Sequence, residues 1–250
     1  PLHIAVSGDY EGSFVASLRL WRPYEKLPAL PTTLTSFRPI ALPYNDRLED
    51  LFTRDYYDPK LPESALRIAR DGLNAWTGTW YKPEYINMEH VREHLDKHGL
   101  FVSDVGVPFR QAHEGANGVF ISRWPGWPTS ATSPVWQRGR KLYLLLAGTT
   151  NNNQFQVANG AIALLYADGR EERIELVNPS TYDHMLQHFS LKGYPQWISG
   201  ARDGYYGVGH ASGTHADILD IDLLDGELAE VRLECISNEV IIGLLGLTVL

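Results

Sequence analysis

The chain has 250 residues, 44% of them apolar and 21% charged, which is the composition of a folded globular protein and excludes a disordered or collagen-like one. Its 22 basic and 30 acidic residues give a net charge of −8 without any cluster of Lys or Arg, which argues against nucleic acid as a partner. The single cysteine, Cys235, excludes an intrachain disulfide and a Cys-rich metal centre.

The chain divides into three predicted parts. It begins at Pro1, without an initiator Met or a charged and apolar leader, so we expect a processed chain or a piece of a longer protein. Residues 1–40 are predicted to form an N-terminal strand segment, which either completes this fold or ends a preceding domain. Residues 41–100 are predicted to form a first β layer or small sandwich with a short helix, and residues 101–250 the main β-sandwich.

Two short helices are predicted in the second part. The first runs from Asn45 to Phe52 and the second from Asn87 to His98, each with an Asn as its N-cap, and Gly99 ends the second. Between them, the periodicity of Ser64 to Trp80 fits either a helix or a pair of strands. We favour strands there.

Turn signals dominate the third part. Between Gln154 and Val177, the dipeptides Asn159-Gly160 and Asp168-Gly169 separate three strand-like runs and accept the positive φ angles of hairpin turns, so a three-stranded meander is predicted. A second hairpin is predicted from His215 to Leu224, with its turn at Asp225-Gly226 and an amphipathic return strand.

Two stretches are apolar on both faces, as are the central strands of a sandwich: Leu142 to Ala147 and Val240 to Leu250. The second has eleven residues, fewer than the roughly 18 needed to cross a bilayer, so no membrane span is expected. Together these patterns predict a mainly β fold, a jelly-roll or galactose-binding-like sandwich or two packed sandwiches.

A zinc-protease pattern occurs in the second helix. His90 to His94 (HVREH) matches the inverted motif HxxEH, in which two His bind zinc and Glu activates water, and His98 extends the same face. The alternative is a set of solvated side chains on a short, highly charged surface helix, and we favour it because so short a pattern arises often by chance. His184 and His188 share the spacing but lie in a segment without a helical pattern. No metal site is predicted.

A glycine-rich segment, Gly204 to Gly213 (GYYGVGHASG), resembles a phosphate-binding loop. A strand follows it where a dinucleotide loop would lead into a helix, so no nucleotide cofactor is expected. A GxSxG nucleophile motif is also absent from the sequence. We expect no cofactor, and we interpret the segment as a tight loop from which Tyr205 and His210 project.

Aromatic residues make up 11% of the chain, and several Trp lie among Pro, Gly, Ser and Thr, including Trp76, Trp136 and Trp197. An indole packs flat against the C–H face of a sugar ring, while the sugar hydroxyls need amide and carboxylate partners. The alternative is that each Trp closes an end of the sandwich. The candidate carbohydrate-binding residues are Trp80, Tyr81, Trp124, Trp127, Asn151, Asn152, Asn153, Tyr205 and His210.

Glycoside hydrolysis needs two carboxylates roughly 5 to 10 Å apart across a cleft. The sequence offers many candidates and pairs none of them: Asp9, Glu11, Asp55, Asp58, Asp104 and Glu114. Asp217, Asp220 and Asp222 alternate along one predicted strand, and we interpret them as a solvated face and not as a calcium site.

A family resemblance is carried by seven ordered segments: Pro43 to Arg47, Gly106 to Phe109, Gly115 to Trp124, Leu142 to Asn151, Asn159 to Glu175, Val177 to Pro179 and His215 to Leu250. They resemble the C-terminal β-sandwich region of large, mostly uncharacterised bacterial proteins that look like secreted glycan-degrading enzymes. In that family the region is joined to a helical-toroid glycosidase-like domain. The resemblance covers about residues 40–250 and departs at Ser180 to His184, where the family has further aromatic residues.

The resemblance implies a neighbouring catalytic domain or chain and a periplasmic or extracellular location, and it assigns no catalytic residue. We therefore predict a carbohydrate-binding or substrate-framing β-sandwich region of a bacterial glycoside hydrolase-like protein, with a glycan as its ligand. Two alternatives stay open. The chain is itself a glycoside hydrolase with a carboxylate pair, or it is a purely structural sandwich that supports a neighbouring catalytic domain.

Overall fold

The computed structural model describes residues 34–51, 87–150, 156–185, 193–200, 213–238 and 240–250. In these ranges the chain forms β-strands, two short α-helices and a 3-10 turn at Leu34–Ser36. The helices are α1 (Leu48–Leu51) and α2 (Glu89–Glu93). The strands are β1 (Arg38–Ile40), β2 (Leu100–Val102), β3 (Pro108–Arg110), β4 (Val119–Ser122), β5 (Ser130–Arg138), β6 (Lys141–Thr150), β7 (Ala158–Tyr166), β8 (Glu171–Val177), β9 (Tyr194–Gly200), β10 (Gly213–Asp222), β11 (Glu227–Cys235) and β12 (Val240–Val249).

The strands form two main antiparallel sheets and a small hairpin. The six-stranded sheet has the order β1-β12-β6-β10-β9, with β4 also paired to β12. The four-stranded sheet has the order β5-β11-β7-β8, and β2 pairs with β3 alone. One apolar cluster contains side chains from both main sheets, including Leu144 and Leu233, so the sheets pack face to face. The predicted mainly β sandwich is confirmed.

The six-stranded sheet is buried on both faces at its centre. Along β6, Leu142 and Leu144 belong to the cluster between the sheets, while Tyr143 and Leu145 belong to a second cluster. That second cluster also contains side chains from α1, α2 and the β2–β3 hairpin, which cover the far face of the sheet. The prediction of two central strands that are apolar on both faces is therefore confirmed for β6 and its neighbour β12.

The predicted hairpin after His215 is wrong. β10 pairs with β6 and β9 in the six-stranded sheet, whereas β11 pairs with β5 and β7 in the other sheet. The turn at Asp225-Gly226 therefore carries the chain from one sheet to the other. Leu219 of β10 and Val231 of β11 both belong to the cluster between the sheets, so their faces meet across the core instead of lying side by side.

One of the two turns of the predicted meander is also wrong. Asn159-Gly160 lies within β7, at an irregularity in its register with β8, and the Asn159 carbonyl oxygen accepts hydrogen bonds from two N–H groups that follow β11. A Cβ atom at Gly160 would collide with Ile242, so close packing requires this glycine. The turn at Asp168-Gly169 is confirmed, with a φ of 88° at Gly169.

Both predicted helices form, but α1 begins only at Leu48, α2 is shorter than expected, and neither has the predicted cap. Asn45 instead bonds the backbone of Phe120, accepting from its N–H at 2.8 Å and donating to its carbonyl oxygen at 2.9 Å. The N-cap position of α2 is Met88, which makes no side-chain capping bond. The side chain of Asn87 accepts a hydrogen bond from the Glu89 N–H at 2.8 Å. The stretch Ser64 to Trp80 lies outside the described residues.

Candidate functional site

Several strands of the six-stranded sheet begin or end at one end of the sheet, which we call the loop edge. At this edge β4 ends at Ser122, β6 ends at Thr150 and β9 ends at Gly200, while β10 begins at Gly213 and β12 at Val240. In an antiparallel sheet one strand ends where its neighbour begins, so the ends of these five strands lie along the same edge.

The strand register places these ends side by side. Ser122 pairs with Ile241, and Ile241 pairs with Thr149. Gly200 pairs with Gly213, and β10 runs beside β6. Since neighbouring strands are about 4.8 Å apart, the ends of β4 and β6 lie on the order of 10 Å from each other.

Seven of the nine candidate carbohydrate-binding residues follow directly from these strand ends in the sequence. Trp124 and Trp127 follow β4, Asn151 to Asn153 follow β6, and Tyr205 and His210 lie in the connection from β9 to β10. Of the nine, the structure describes the two Trp, and the others lie outside the described residues: Trp80, Tyr81, Asn151, Asn152, Asn153, Tyr205 and His210.

The two described Trp sit on a tight turn, Trp124-Pro125-Gly126-Trp127. The Trp127 N–H donates to the Trp124 carbonyl oxygen at 3.2 Å, and Gly126 has a φ of 90°. Pro followed by a residue with positive φ is typical of a type II turn. The Trp124 N–H also donates to the Ser122 hydroxyl oxygen at 3.1 Å. Both rings are half-buried against the apolar cluster beneath the helices, so each keeps part of its surface in solvent.

The other two Trp assigned to loops lie in strands, so that interpretation is wrong for them. Trp136 is in β5, at a φ of 50°, and 57% of its surface is exposed. Trp197 is in β9 and is 5% exposed, with its ring centroid 6.4 Å from that of His215. Trp76 lies outside the described residues.

A group of polar side chains is buried near the loop edge. This buried polar cluster consists of Asn178, Asp183, His184, His215 and Asp217. The Asn178 side-chain amide donates to Asp183 Oδ1 at 3.0 Å, and the His184 N–H donates to the same oxygen at 2.7 Å. The Asp183 N–H donates to Asp217 Oδ2 at 2.6 Å, and His215 Nε2 lies 3.9 Å from that atom.

The segment 178–185 is fixed to the six-stranded sheet through Tyr182 and Met185. The Met185 N–H donates to the Gly148 carbonyl oxygen at 2.9 Å, and the His215 N–H donates to the Met185 carbonyl oxygen at 3.0 Å. Tyr182 packs against Gly148, where an added Cβ would lie 2.7 Å from the ring. Burial raises the pKa of Tyr182 well above its usual range, an effect that the nearby Asn159 amide only partly opposes, so the phenol stays neutral.

Sequence reasoning missed the two carboxylates of this cluster. Asp183 and Asp217 are the carboxylates that are buried within the part of the chain that the structure describes, and neither was among the candidates for hydrolysis. Asp217 was assigned to a solvated face, which is wrong. Asp217 is two residues from Leu219 in β10 and therefore lies on the same face of the strand, the face toward the core between the sheets. A charged residue on the apolar face of a strand was the sequence feature that could have revealed its burial.

Two of the carboxylates proposed from sequence are described. Asp104 lies in the turn of the β2–β3 hairpin, and Glu114 lies in an exposed loop beyond the open end of that hairpin. They therefore lie beyond opposite ends of the hairpin. The remaining four lie outside the described residues: Asp9, Glu11, Asp55 and Asp58.

The first four residues of the HxxEH motif lie in α2, a helix of five residues, and His94 is its C-cap. The rings of His90 and His94 are 4.4 Å apart between centroids, and His94 is exposed. Among the described residues, no group of three or more His, Cys, Asp or Glu side chains is arranged to hold a metal ion. Arg92 of α2 forms an ion pair with Glu49 of α1.

Comparison with known proteins finds neither a protein-family model that matches the chain nor a similar curated protein. The family resemblance of the ordered motifs stays a prediction. Within the described residues, none of the helices has both the length and the apolar character that crossing a membrane requires.

Proposed function

We propose that this chain is the carbohydrate-binding or substrate-framing β-sandwich region of a bacterial glycoside hydrolase-like protein, and that it binds glycan at the loop edge. The observation that carries the proposal is the turn with Trp124 and Trp127, which holds two half-exposed indoles at the sheet end from which Asn151 to Asn153 continue. The partners would be a glycan and a neighbouring catalytic domain, in the periplasm or outside the cell.

A glycan site needs a rigid aromatic surface and nearby amide groups. The backbone of Trp124 is fixed by two hydrogen bonds, one to the Ser122 hydroxyl and one from the Trp127 N–H, so little conformational entropy is lost when a sugar ring stacks on it. β6 ends with Thr149 and Thr150, and three consecutive Asn residues follow in the sequence. Side-chain amides are the partners that sugar hydroxyls require. Stacking on one indole contributes about 1 kcal/mol, so a single site of this kind has modest affinity.

The test is calorimetric titration with a panel of plant and microbial polysaccharides, followed by the variants Trp124→Ala and Trp127→Ala. We expect each variant to weaken binding about fivefold, the loss that corresponds to one stacked ring. Trp136→Ala is the matched control, because it removes a more exposed indole from a strand of the other sheet.

Two results would contradict this proposal. One is that no polysaccharide of the panel binds, which would favour the purely structural sandwich. The other is that Trp136→Ala abolishes binding while Trp124→Ala and Trp127→Ala leave it unchanged, which would move the glycan site to the four-stranded sheet.

A second candidate function is glycoside hydrolysis by this chain itself. It is favoured by one observation, the hydrogen bond from the backbone N–H of Asp183 to the Asp217 carboxylate, which brings these two buried acidic residues together near the loop edge. Two neighbouring carboxyl groups are the minimum for acid and base or nucleophile chemistry at a glycosidic bond. Release of nitrophenol from aryl glycosides, lost in both Asp183→Asn and Asp217→Asn while polysaccharide binding persists, would support it. Equal hydrolysis by the Asn variants would contradict it.

A further inference from the structure

A pocket of about 380 Å³ opens between the segment that follows β1 and the open end of the β2–β3 hairpin. Small-molecule pockets have volumes of about 300–1,000 Å³, so this one accommodates a molecule of monosaccharide size. Its lining includes Tyr44 and Gln111 together with four basic residues, Lys97, His98, Arg110 and His113. It is separate from the loop edge.

The base of the pocket is built over a gap in the sheet. β4 and β1 pair with successive parts of β12 and leave Leu245 between them, at a register shift. The Gln111 side-chain amide donates to the Leu245 carbonyl oxygen, and the Tyr44 hydroxyl lies 3.1 Å from the same oxygen and 2.7 Å from that of Arg110. Burial raises the pKa of Tyr44 above its usual range. The base is therefore a neutral, hydrogen-bonded surface.

The rim of the pocket carries two cationic side chains, Lys97 and Arg110, and two His rings. None of its lining residues is acidic, and none of the four basic side chains forms an ion pair with another described residue. In a chain with a net charge of −8, the two cationic side chains of Lys97 and Arg110 at a pocket without an acidic lining residue stand out against the overall charge. The Arg110 side chain is exposed, so its guanidinium is accessible to a ligand.

Two acidic residues lie close to the rim without lining it. The Asp96 carboxylate accepts hydrogen bonds from the N–H groups of His98 and Leu100, at 2.8 and 2.9 Å, and is attracted by the His98 and His113 rings. The Asp96 carboxylate is therefore already hydrogen-bonded to backbone N–H groups of its own loop. Glu114 follows His113 and is exposed. The rim keeps a surplus of basic over acidic groups.

We infer that this pocket binds a small organic anion, a carboxylate- or phosphate-bearing molecule whose charged group is held by Lys97 and Arg110. Arg supplies a planar pair of N–H donors that match a carboxylate or phosphate, and Lys supplies a point charge. His98 and His113 are placed to donate further hydrogen bonds, and the ring of Tyr44 gives an apolar surface for the rest of the molecule.

The inference is tested by calorimetric titration in a phosphate-free buffer with sodium phosphate, D-galacturonate and neutral D-galactose. We expect at least one anion to bind, no binding of galactose at the pocket, and weaker binding at about 200 mM than at about 20 mM NaCl, since the rim is open to solvent. The relative affinities for phosphate and galacturonate show whether the pocket prefers a phosphate-bearing or a carboxylate-bearing ligand. Arg110→Gln and Lys97→Gln should each weaken binding about tenfold.

Arg140→Gln is the matched control, because Arg140 is an exposed arginine that does not line the pocket. The inference is overturned if neither anion binds at low salt, or if Arg140→Gln weakens binding as much as Arg110→Gln. Trp124→Ala should leave anion binding unchanged, and Arg110→Gln should leave polysaccharide binding at the loop edge unchanged. A failure of one site is therefore distinguishable from a failure of the other.

Discussion

The backbone N–H of Asp183 donates to the buried carboxylate of Asp217, 34 residues later in the chain, at 2.6 Å. This bond ties the segment 178–185 to β10 inside the protein, where neither group can be solvated. A buried backbone N–H that loses its acceptor costs about 1–3 kcal/mol. The contact therefore both orders the segment and fixes its position beside the loop edge.

Removal of the Asp217 carboxylate is predicted to destabilise the protein. Asp217→Ala leaves the Asp183 N–H without its acceptor and should lower the free energy of unfolding by about 1–3 kcal/mol. Asp217→Asn should cost less, because its amide oxygen can still accept the bond. Urea denaturation measures both values. Asp222→Ala on the same strand is the control, since its side chain is 85% exposed, and a loss as large as that of Asp217→Ala would contradict the prediction.

Glu49 is predicted to make stability depend on pH. Burial acts to raise its pKa, but hydrogen bonds from Arg92 and Asn117 and the charge of Arg92 outweigh burial and hold the pKa below its ordinary value of 4.5. Because the folded-state pKa is depressed, the stabilisation is full above pH 4.5 and is lost as the pH falls through the folded-state pKa.

Glu49→Gln should therefore lower the free energy of unfolding by about 1–3 kcal/mol at pH 7, and its difference from the unchanged protein should shrink in acid. Denaturation curves at a series of pH values give this difference. Glu93→Gln, an exposed position of α2, is the control. A difference that stays constant down to acid pH would show that Glu49 does not act through its charge.

The tight turn at Gly126 allows a prediction about the two indoles. Gly126→Ala forces an L-residue into a φ of 90°, while no atom lies within 4 Å of the new methyl group, so the cost of about 1–2 kcal/mol comes from the backbone alone. Gly169→Ala is matched to it, with a φ of 88° and equally open space.

Both variants should lose similar stability, but only Gly126→Ala should change the tryptophan fluorescence of the folded protein and weaken glycan binding. Equal fluorescence and binding changes in the two variants would show that the turn does not set the positions of Trp124 and Trp127.

Gly148 is predicted to be required by its contact with Tyr182. A methyl group at Gly148 would lie 2.7 Å from the Tyr182 ring and 3.3 Å from the Ile241 carbonyl oxygen, so Gly148→Ala should destabilise the protein by about 1–3 kcal/mol. Part of this loss should be recovered when Tyr182→Leu shortens the opposing side chain. The four free energies of a double-mutant cycle measure the coupling, and a coupling near zero would contradict the assigned contact.

The elements that sequence predicted well are those whose signal is local. The two-sided apolar pattern of β6 and β12 reflects burial of both faces, and the turn at Asp168-Gly169 depends only on the φ of one glycine. The pairing of β10 and β11 is different. An alternating pattern shows that each strand has one apolar face, and this is equally true of two strands in a hairpin and of two strands that face each other across a core.

The candidate site likewise combines features that are visible in the sequence with features that depend on the fold. Aromatic residues and consecutive amides are visible in the sequence, but it does not show that β4, β12 and β6, whose ends they follow or precede, lie side by side, because that register is supplied only by the fold. Asp183 lies in a segment without regular structure, and its burial depends on Asp217 and on Gly148 through Met185. The position of Asp217 on the apolar face of β10 was the local sequence feature that indicated this cluster.

The position of β12 between β6 and the pair formed by β4 and β1 also protects the protein from self-association. β12 is the most apolar strand of the sheet, and with one side open its backbone would accept a strand of another molecule. β1 contributes only three residues, yet it covers the backbone from Leu247 to Val249. Loss of this short strand would leave the apolar end of β12 from Leu247 to Val249 as an exposed edge prone to aggregation.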